Sequence, residues 1–179
     1  MIRPIRPDDT ERLQGFHARL SDESRYRRFM SSKPSLSASD ARYLVDIDGC
    51  NHYALVATVA ELDGEAIIGV ARYIRLPGDP ATAEFAIVIG DAWQGAGLAG
   101  ELLGRLADAA LTRGVGRFSA TILADNLAIS RVIERLAAGP VSRRRQGNLV
   151  EVEFPLPTRE DIDPPVGSAP AMIAGWAGS

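Results

Sequence analysis

Apolar positions along the chain switch repeatedly between a helical and a strand-like period, and each switch marks an element. Met1 to Arg6 predicts a short strand in which Pro4 is tolerable only at a sheet edge. Asp8 or Asp9 stands where it can cap a helix over Thr10 to Leu20. Ser21-Asp22-Glu23 starts a short helix through Arg25, Tyr26, Arg28 and Phe29, and Ser31 to Ser35 reads as a loop. Ser37 caps a third helix, Ala38 to Ile47, with Asp40 in its first turn. Tyr53–Leu62 and Ala66–Ile74 are apolar and β-branched, and Asp63-Gly64 between them predicts a hairpin. Pro77-Gly78-Asp79-Pro80 is a second turn, leading to a strand over Glu84–Ile89. Three consecutive strands joined by tight turns predict an antiparallel sheet.

The pattern then reverses. After Gly90-Asp91 comes a glycine-rich loop, Gln94-Gly95-Ala96-Gly97-Leu98-Ala99-Gly100. It runs into a helix with Leu98, Leu102, Leu103, Leu106 and Ala110 at helical spacing, ended by Gly114. Arg117–Leu123 alternates like a strand. Asp125-Asn126 begins a helix with Ile129, Val132, Ile133 and Leu136 as its stripe. Val141–Arg145 and Asn148–Phe154 form a final hairpin around Gly147. Past Pro155 the chain is rich in Pro, Gly, Ala and Ser without periodicity. One domain over residues 1–156 and a flexible tail over 157–179 are therefore expected, with docking of Met172, Ile173 and Trp176 as the alternative.

Composition changes this picture little. A chain of 179 residues can bury a real core, and the net charge of −3 gives no global argument for nucleic acid. The single cysteine, Cys50, permits no intramolecular disulfide. No apolar run approaches membrane-spanning length and the N-terminus does not read as a signal peptide, so no membrane partner and a cytoplasmic location are expected. His17 and His52 have no companions at metal-ligand spacing, so no metal is expected.

Strand, glycine loop and helix in that order place unpaired backbone N–H groups at the positive end of a helix dipole, which suits a phosphate. Gly95-x-Gly97-x-x-Gly100 matches the dinucleotide fingerprint, but Gly90–Gln94 separate it from the strand, and hairpin-like strands come first. The acidic residue of that fold is missing after Arg117–Leu123, and the Lys and Ser/Thr of a P-loop are absent. Gln94, Gly97 and Ala99 instead fill a Gln/Arg-x-x-Gly-x-Gly/Ala pattern. This resembles the acyl-CoA loop of the GNAT acetyltransferase superfamily. The resemblance extends in element order over residues 1–154 and includes the ADNLAISRVIERLA helix. It implies an α/β (α+β) GNAT fold, a mixed, mostly antiparallel sheet of about seven strands flanked by helices. The stretches IRPDD, LSDESRYRRFMSSKPSLS and GVARY…AEFAIVIGDAWQGAGLAGELL further resemble the acetyltransferase domain of bacterial Pat-type protein lysine acetyltransferases.

The implied reaction is attack of an amine on the thioester of acetyl-CoA. The backbone of Gly95, Ala96, Gly97, Leu98, Ala99 and Gly100, following Gln94, would cradle the pyrophosphate. By resemblance, Ile87, Val88 and Ile89 would pair with the pantetheine arm, with the N–H near Val88 as oxyanion donor. Glu84 is the base candidate. It is the only acidic residue between Asp79 and Asp91 and sits at the mouth of an apolar strand, where partial burial would suit it to accept a proton. Asn126 fits the family's asparagine, which contacts CoA or caps the helix, and Ser130 one turn later could reach the cofactor. The family's tyrosine acid on this helix is replaced by Ile133. Tyr26, Tyr43, Tyr53 and Tyr73 are not ranked as substitutes, and the Arg25–Arg28 and Arg143–Arg145 clusters carry no assigned role. The acceptor implied is a protein lysine, an acyl-CoA synthetase in the Pat-type case, with the enzyme a monomer or homodimer. A small-molecule amine acceptor, or a non-catalytic acyl-CoA sensor or interaction module, is the alternative, and a dinucleotide oxidoreductase a distant third.

Overall fold

A computed structural model of the chain describes residues 1–29, 35–62 and 64–158. The elements in order are β1 (Ile2–Pro4), α1 (Thr10–Arg19), α2 (Asp22–Phe29), α3 (Ala38–Val45), β2 (His52–Glu61), β3 (Gly64–Leu76), β4 (Asp79–Ile89), α4 (Leu98–Leu111), β5 (Arg117–Leu123), α5 (Leu127–Leu136), β6 (Ser142–Gln146) and β7 (Leu149–Pro155). They build one seven-stranded sheet in the order β1-β2-β3-β4-β5-β7-β6, so the expected mixed sheet with flanking helices is present. Every strand pair is antiparallel except β4–β5, which is parallel because α4 carries the chain across between them. Pro4 sits on the edge strand, as its missing N–H requires.

Alternation along the strands feeds two cores. Tyr73, Phe85, Phe118 and Phe154 meet α4 and α5 on one face, with Leu102, Leu103, Leu106 and Ile133 fully buried against them. Ala54, Val56, Ile67 and Val70 meet Leu13, Phe16, Ala41 and Val45 of α1 and α3 on the other. The Phe85 and Phe118 rings, 5.5 Å apart, clamp β4 to β5 at the base of their pairing. Helix α2 packs against β4.

Several boundaries differ from the sequence reading for local reasons. Strand β4 starts at Asp79 rather than Glu84 because the tight turn is only Pro77-Gly78, with Gly78 at φ +85°. Pro80 falls where the β3–β4 register shifts, so no ladder hydrogen bond is lost. Helix α3 stops at Val45, and Ser37 caps it by accepting from Asp40 N at 3.1 Å. Asp9 occupies the α1 cap position without capping through its side chain, because its carboxylate is taken by Arg3 and by Arg6 N. Asp63 of the first hairpin, most of the Ser31–Ser35 loop, and 159–179 of the expected tail lie outside the described residues.

Candidate active site

Strands β4 and β5 pair only at Thr82–Glu84 against Arg117–Ser119, and beyond Glu84 they separate. Two hydrogen bonds fix which β4 groups face the opening. Gly90 N donates to Ile68 O on the β3 side, and Ala81 O accepts from Gly116 N on the β5 side. Alternation then turns the N–H and C=O of Phe85, Ile87 and Ile89 toward the splay, and those of Ala86 and Val88 toward β3. The expected oxyanion donor near Val88 is corrected by this parity. Val88 lies opposite Val70, and its N–H belongs to the β3 ladder. Ile87 and Ile89 present free amides instead.

The opening is the mouth of a cavity of about 720 Å³. Of the expected residues, Glu84, Ile87, Val88, Ile89, Gln94, Gly95, Gly97, Leu98, Ala99, Gly100 and Asn126 line it, while Ala96 and Ser130 do not. Ser130 was expected one turn past Asn126, but Ala128, Ile129, Arg131, Val132 and Arg135 form the cavity face of α5. Asn126 caps α5, its Oδ1 accepting from Ile129 N at 3.3 Å.

Opposite the strand, the loop leaves a run of backbone amides open to the cavity. Gly95 (φ +80°) and Gly97 (φ +83°) take the left-handed backbone that side chains avoid. A Cβ added at Gly95, Gly97 or Gly100 would meet nothing within 4 Å, so at Gly95 and Gly97 it is the left-handed backbone, not a steric neighbour, that requires glycine. Among the described residues, no protein acceptor receives the N–H groups of Gly95, Ala96, Gly97, Leu98, Ala99 or Gly100, which converge at the start of α4. This donor set fits a pyrophosphate without needing a cation. Gln94 turns elsewhere, its Nε2 donating to Ser24 Oγ at 3.0 Å and Ile89 O at 3.1 Å.

Glu84 sits where β4 and β5 part. Its side chain is exposed rather than partly buried, because the two strands diverge beside it. It lines both the large cavity and a second, polar one of about 350 Å³, shared with Ser119, Thr121, Arg144, Glu151 and Glu153. Alternation aims Glu84 at the α2 side, where Arg28 lies within electrostatic reach. Burial pushes the Arg28 guanidinium down to about 10, partly offset by Glu84. Arg72, 4% exposed, is pushed to about 9 by burial and then by Arg28. Its guanidinium donates to Leu44 O and to His52 Nε2. Both arginines therefore remain cations at neutral pH.

Arg27 and Arg28, named from sequence only as part of a cluster without an assigned role, line the cavity, and the sequence reading missed Ser24, Trp93, Arg131 and Arg135 there. Arg131 and Arg135 are exposed, four residues apart on α5, and form no ion pair or hydrogen bond among the described residues. A like-charge pair at that spacing costs a helix about 0.2–0.5 kcal/mol, so two arginines four apart on one helix face were the readable signal, while the cavity they meet was not. None of the tyrosines lines the cavity. Tyr73 OH donates to Cys50 O and Tyr53 lies under the Arg113 guanidinium. Ile133, at the family's tyrosine position, is wholly buried. Among the described residues no cluster of His, Cys, Asp and Glu could hold a metal, and no helix is long and apolar enough to cross a membrane.

Known proteins are similar to this chain in sequence and fold. Residues 1–138 match the family described as acetyltransferase (GNAT) domain. The acetyltransferase Pat of Mycolicibacterium smegmatis is 35% identical over 155 residues, covering 86% of this chain and 45% of that protein. An acetyltransferase of Pseudomonas aeruginosa is 37% identical over 115 residues, covering 64% of this chain and 61% of its own length. The chain thus spans about half the length of the curated relatives it matches. The crystal structure of the GNAT domain of S. lividans PAT superposes with a TM-score of 0.76 at 36% identity, covering 87% of this chain and 89% of that one.

Proposed function

The chain belongs to the GNAT acetyltransferase family, and from that premise we propose that it moves acetyl from acetyl-CoA to the side-chain amine of a protein lysine. The observation that carries the reading is the splay at Glu84. It puts a carboxylate, a row of free strand amides and an anion cradle around one cavity. The cradle from Gly95 to Gly100 takes the pyrophosphate, and the splayed edge at Phe85 and Ile87, with the Ile89 N–H, pairs with the amides of the pantetheine arm as another strand would.

Chemistry follows at the base of the splay. Glu84 takes a proton from the incoming ammonium, directly or through water, and the neutral amine attacks the thioester carbon. As the C–N bond forms, the carbonyl oxygen becomes an oxyanion, and the Ile87 amide, three residues from Glu84, is the donor for it. Collapse breaks the C–S bond and releases CoA thiolate, while the nitrogen gives up its second proton to water as the amide forms. No tyrosine of the described residues is positioned to protonate that thiolate, so solvent or the proton held on Glu84 does so. No covalent enzyme intermediate is involved, and Cys50 lies in an exposed loop away from the cavity.

The acceptor class rests on likeness to Pat and to the PAT GNAT domain. An acyl-CoA synthetase is the first protein to try, and the reading carries a cytoplasmic location, where acetyl-CoA is at hand. The test is isothermal titration with acetyl-CoA, CoA and NADH, followed by release of free thiol with an acyl-CoA synthetase as acceptor. CoA binding and thiol release are expected, with Glu84→Gln keeping CoA affinity and losing most turnover near neutral pH. Unchanged kcat in that variant removes Glu84 from the mechanism. Binding without release on any amine points to an acyl-CoA sensor, and no CoA binding overturns the reading.

A further inference from the structure

Helix α2 and the start of the cofactor loop are separated by about seventy residues in sequence, yet they form one hydrogen-bonded unit. Asp91 Oδ1 accepts from Ser21 Oγ at 2.6 Å and from Ser24 Oγ at 2.7 Å, and Asp91 Oδ2 accepts from Ser21 N at 2.8 Å. Ser21 Oγ in turn accepts from Ser24 N at 3.2 Å, closing the first turn of α2. The proton directions are forced. An ionised carboxylate only accepts, so both hydroxyl protons point at Asp91. Ser24 Oγ, 7% exposed as a residue, must then accept from Gln94 Nε2, and the second Nε2 proton goes to Ile89 O. Burial opposes ionisation of Asp91, but the Ser21 hydroxyl and amide and the Ser24 hydroxyl outweigh it and hold the carboxyl below its ordinary range.

Both N–H groups of the Gln94 carboxamide are thereby spent inside the protein, so neither is left for a phosphate. The helix at the other end of the network carries Arg27 and Arg28 into the cavity, with Arg28 within electrostatic reach of Glu84. We propose that Asp91, Ser24 and Gln94 are positioning residues, a latch that sets α2, and through it Arg28 beside Glu84, in register with the loop that holds the CoA phosphates. The latch rests on the reading of the loop as a CoA site. It adds that the cofactor loop also shapes the acceptor side of the cavity, and that the first residue of the glycine motif acts on α2 rather than on the ligand.

A double-mutant cycle separates this from a merely structural network. Wild type, Asp91→Asn, Arg28→Ala and the double variant are compared by CoA titration, by thermal unfolding, and by thiol release at saturating acetyl-CoA with an acyl-CoA synthetase as acceptor. Asn in place of Asp91 offers one oxygen for three donors, so the latch opens while volume is kept. The expected result is CoA affinity within about threefold of wild type and a fall of about tenfold in kcat/KM for the acceptor, and Arg28→Ala costing less than about twofold more once Asp91 is replaced. Equal cost of Arg28→Ala in both backgrounds, or full acceptor turnover by Asp91→Asn, overturns the latch. If Asp91→Asn unfolds early, Ser24→Ala takes its place in the same cycle with the same outcomes. Failure of wild type to bind CoA would instead refute the loop as a CoA site. If wild type binds CoA but releases no thiol with that acceptor, amide exchange decides. Asp91→Asn must then speed exchange across Asp22–Phe29 and leave Leu98–Leu111 unchanged, and unchanged α2 exchange overturns the latch.

Discussion

Replacing Asp9 by alanine removes the anion from the most enclosed ion pair among the described residues. Arg3 Nη1 donates to Asp9 Oδ2 at 2.7 Å and Arg3 Nη2 to Oδ1 at 2.8 Å, with Arg3 6% and Asp9 0% exposed. Arg6 N adds a third hydrogen bond at 2.9 Å and Arg12 a fourth at 3.3 Å. Removing one partner of such a buried pair costs about 3–5 kcal/mol, because the other charge is stranded. Here Arg3 keeps Glu65, through Nε at 3.1 Å and Nη2 at 2.8 Å, so the lower end applies, about 3 kcal/mol. For a chain of this size that is a fall of roughly 6–12 °C in Tm. Asp9→Asn, which keeps the volume and one acceptor, costs about half as much. The pH dependence has a definite sign. Burial raises the Asp9 carboxyl, but Arg3 and the Arg6 amide outweigh it, and the native group lies below its unfolded value of about 3.9. Its contribution is therefore complete above about pH 4 and is lost as pH falls through the lower native value. Denaturant titration of wild type and Asp9→Ala from pH 7 to pH 2 measures both effects. The gap should stay constant down to about pH 4 and close below it, with CoA affinity at pH 7 untouched. A gap under about 1 kcal/mol, or one that does not close in acid, refutes the account of this pair.

Other sites give sharper functional contrasts. Gly97→Ala forces a side chain into φ +83° and costs about 1–2 kcal/mol of stability. The strained turn would also shift the loop amides, so CoA affinity measured by titration should drop at least about tenfold. Arg131→Ala and Arg135→Ala, which remove exposed cations from the cavity wall, should each weaken CoA about two- to fivefold, roughly 0.4–1 kcal/mol, with a shallower salt dependence. An unchanged salt slope would separate these arginines from the phosphates. His52, half-buried beside the Arg72 cation, is held down at about 4, burial being the larger cause. The unfolded chain takes up that proton near pH 6.5, so stability should decline as pH falls from about 6.5 to 4, and His52→Gln should flatten that window.

Much of the architecture was legible because its signals are local. A helix announces itself within four residues and a strand within two, so Leu98–Leu111 and Arg117–Leu123 could be placed from their own side chains. Glycine at a positive φ is equally local, and Gly95 and Gly97 marked the turn ahead of α4 before any contact was known. Ser37 and Asn126 were readable as caps for the same reason, since a cap bonds within three residues of itself.

The amino-acid order alone thus determined the type and order of the elements, the glycine loop and the acidic residue ahead of it. Tertiary structure decided what those parts face. Whether Val88 or Ile87 offers a free amide depends on the parity of the β3 ladder, which is set by pairing with residues about eighteen positions away. The splay exists because β4–β5 pairing ends at Glu84, and no property of Glu84 itself says where a partner strand stops. That same ending left the Glu84 side chain exposed. Gln94 met Ser24, and Asp91 met Ser21, across about seventy residues, so their hydrogen bonds belong to the folded chain and not to the motif. Ser130 lay one helical turn from Asn126 yet away from the cavity, because the rotation of α5 is set by burying Ile129 and Ile133. Periodicity depends on a residue's chain neighbours, whereas charge, hydrogen bonding and access depend on its spatial ones, and only folding brings the latter together.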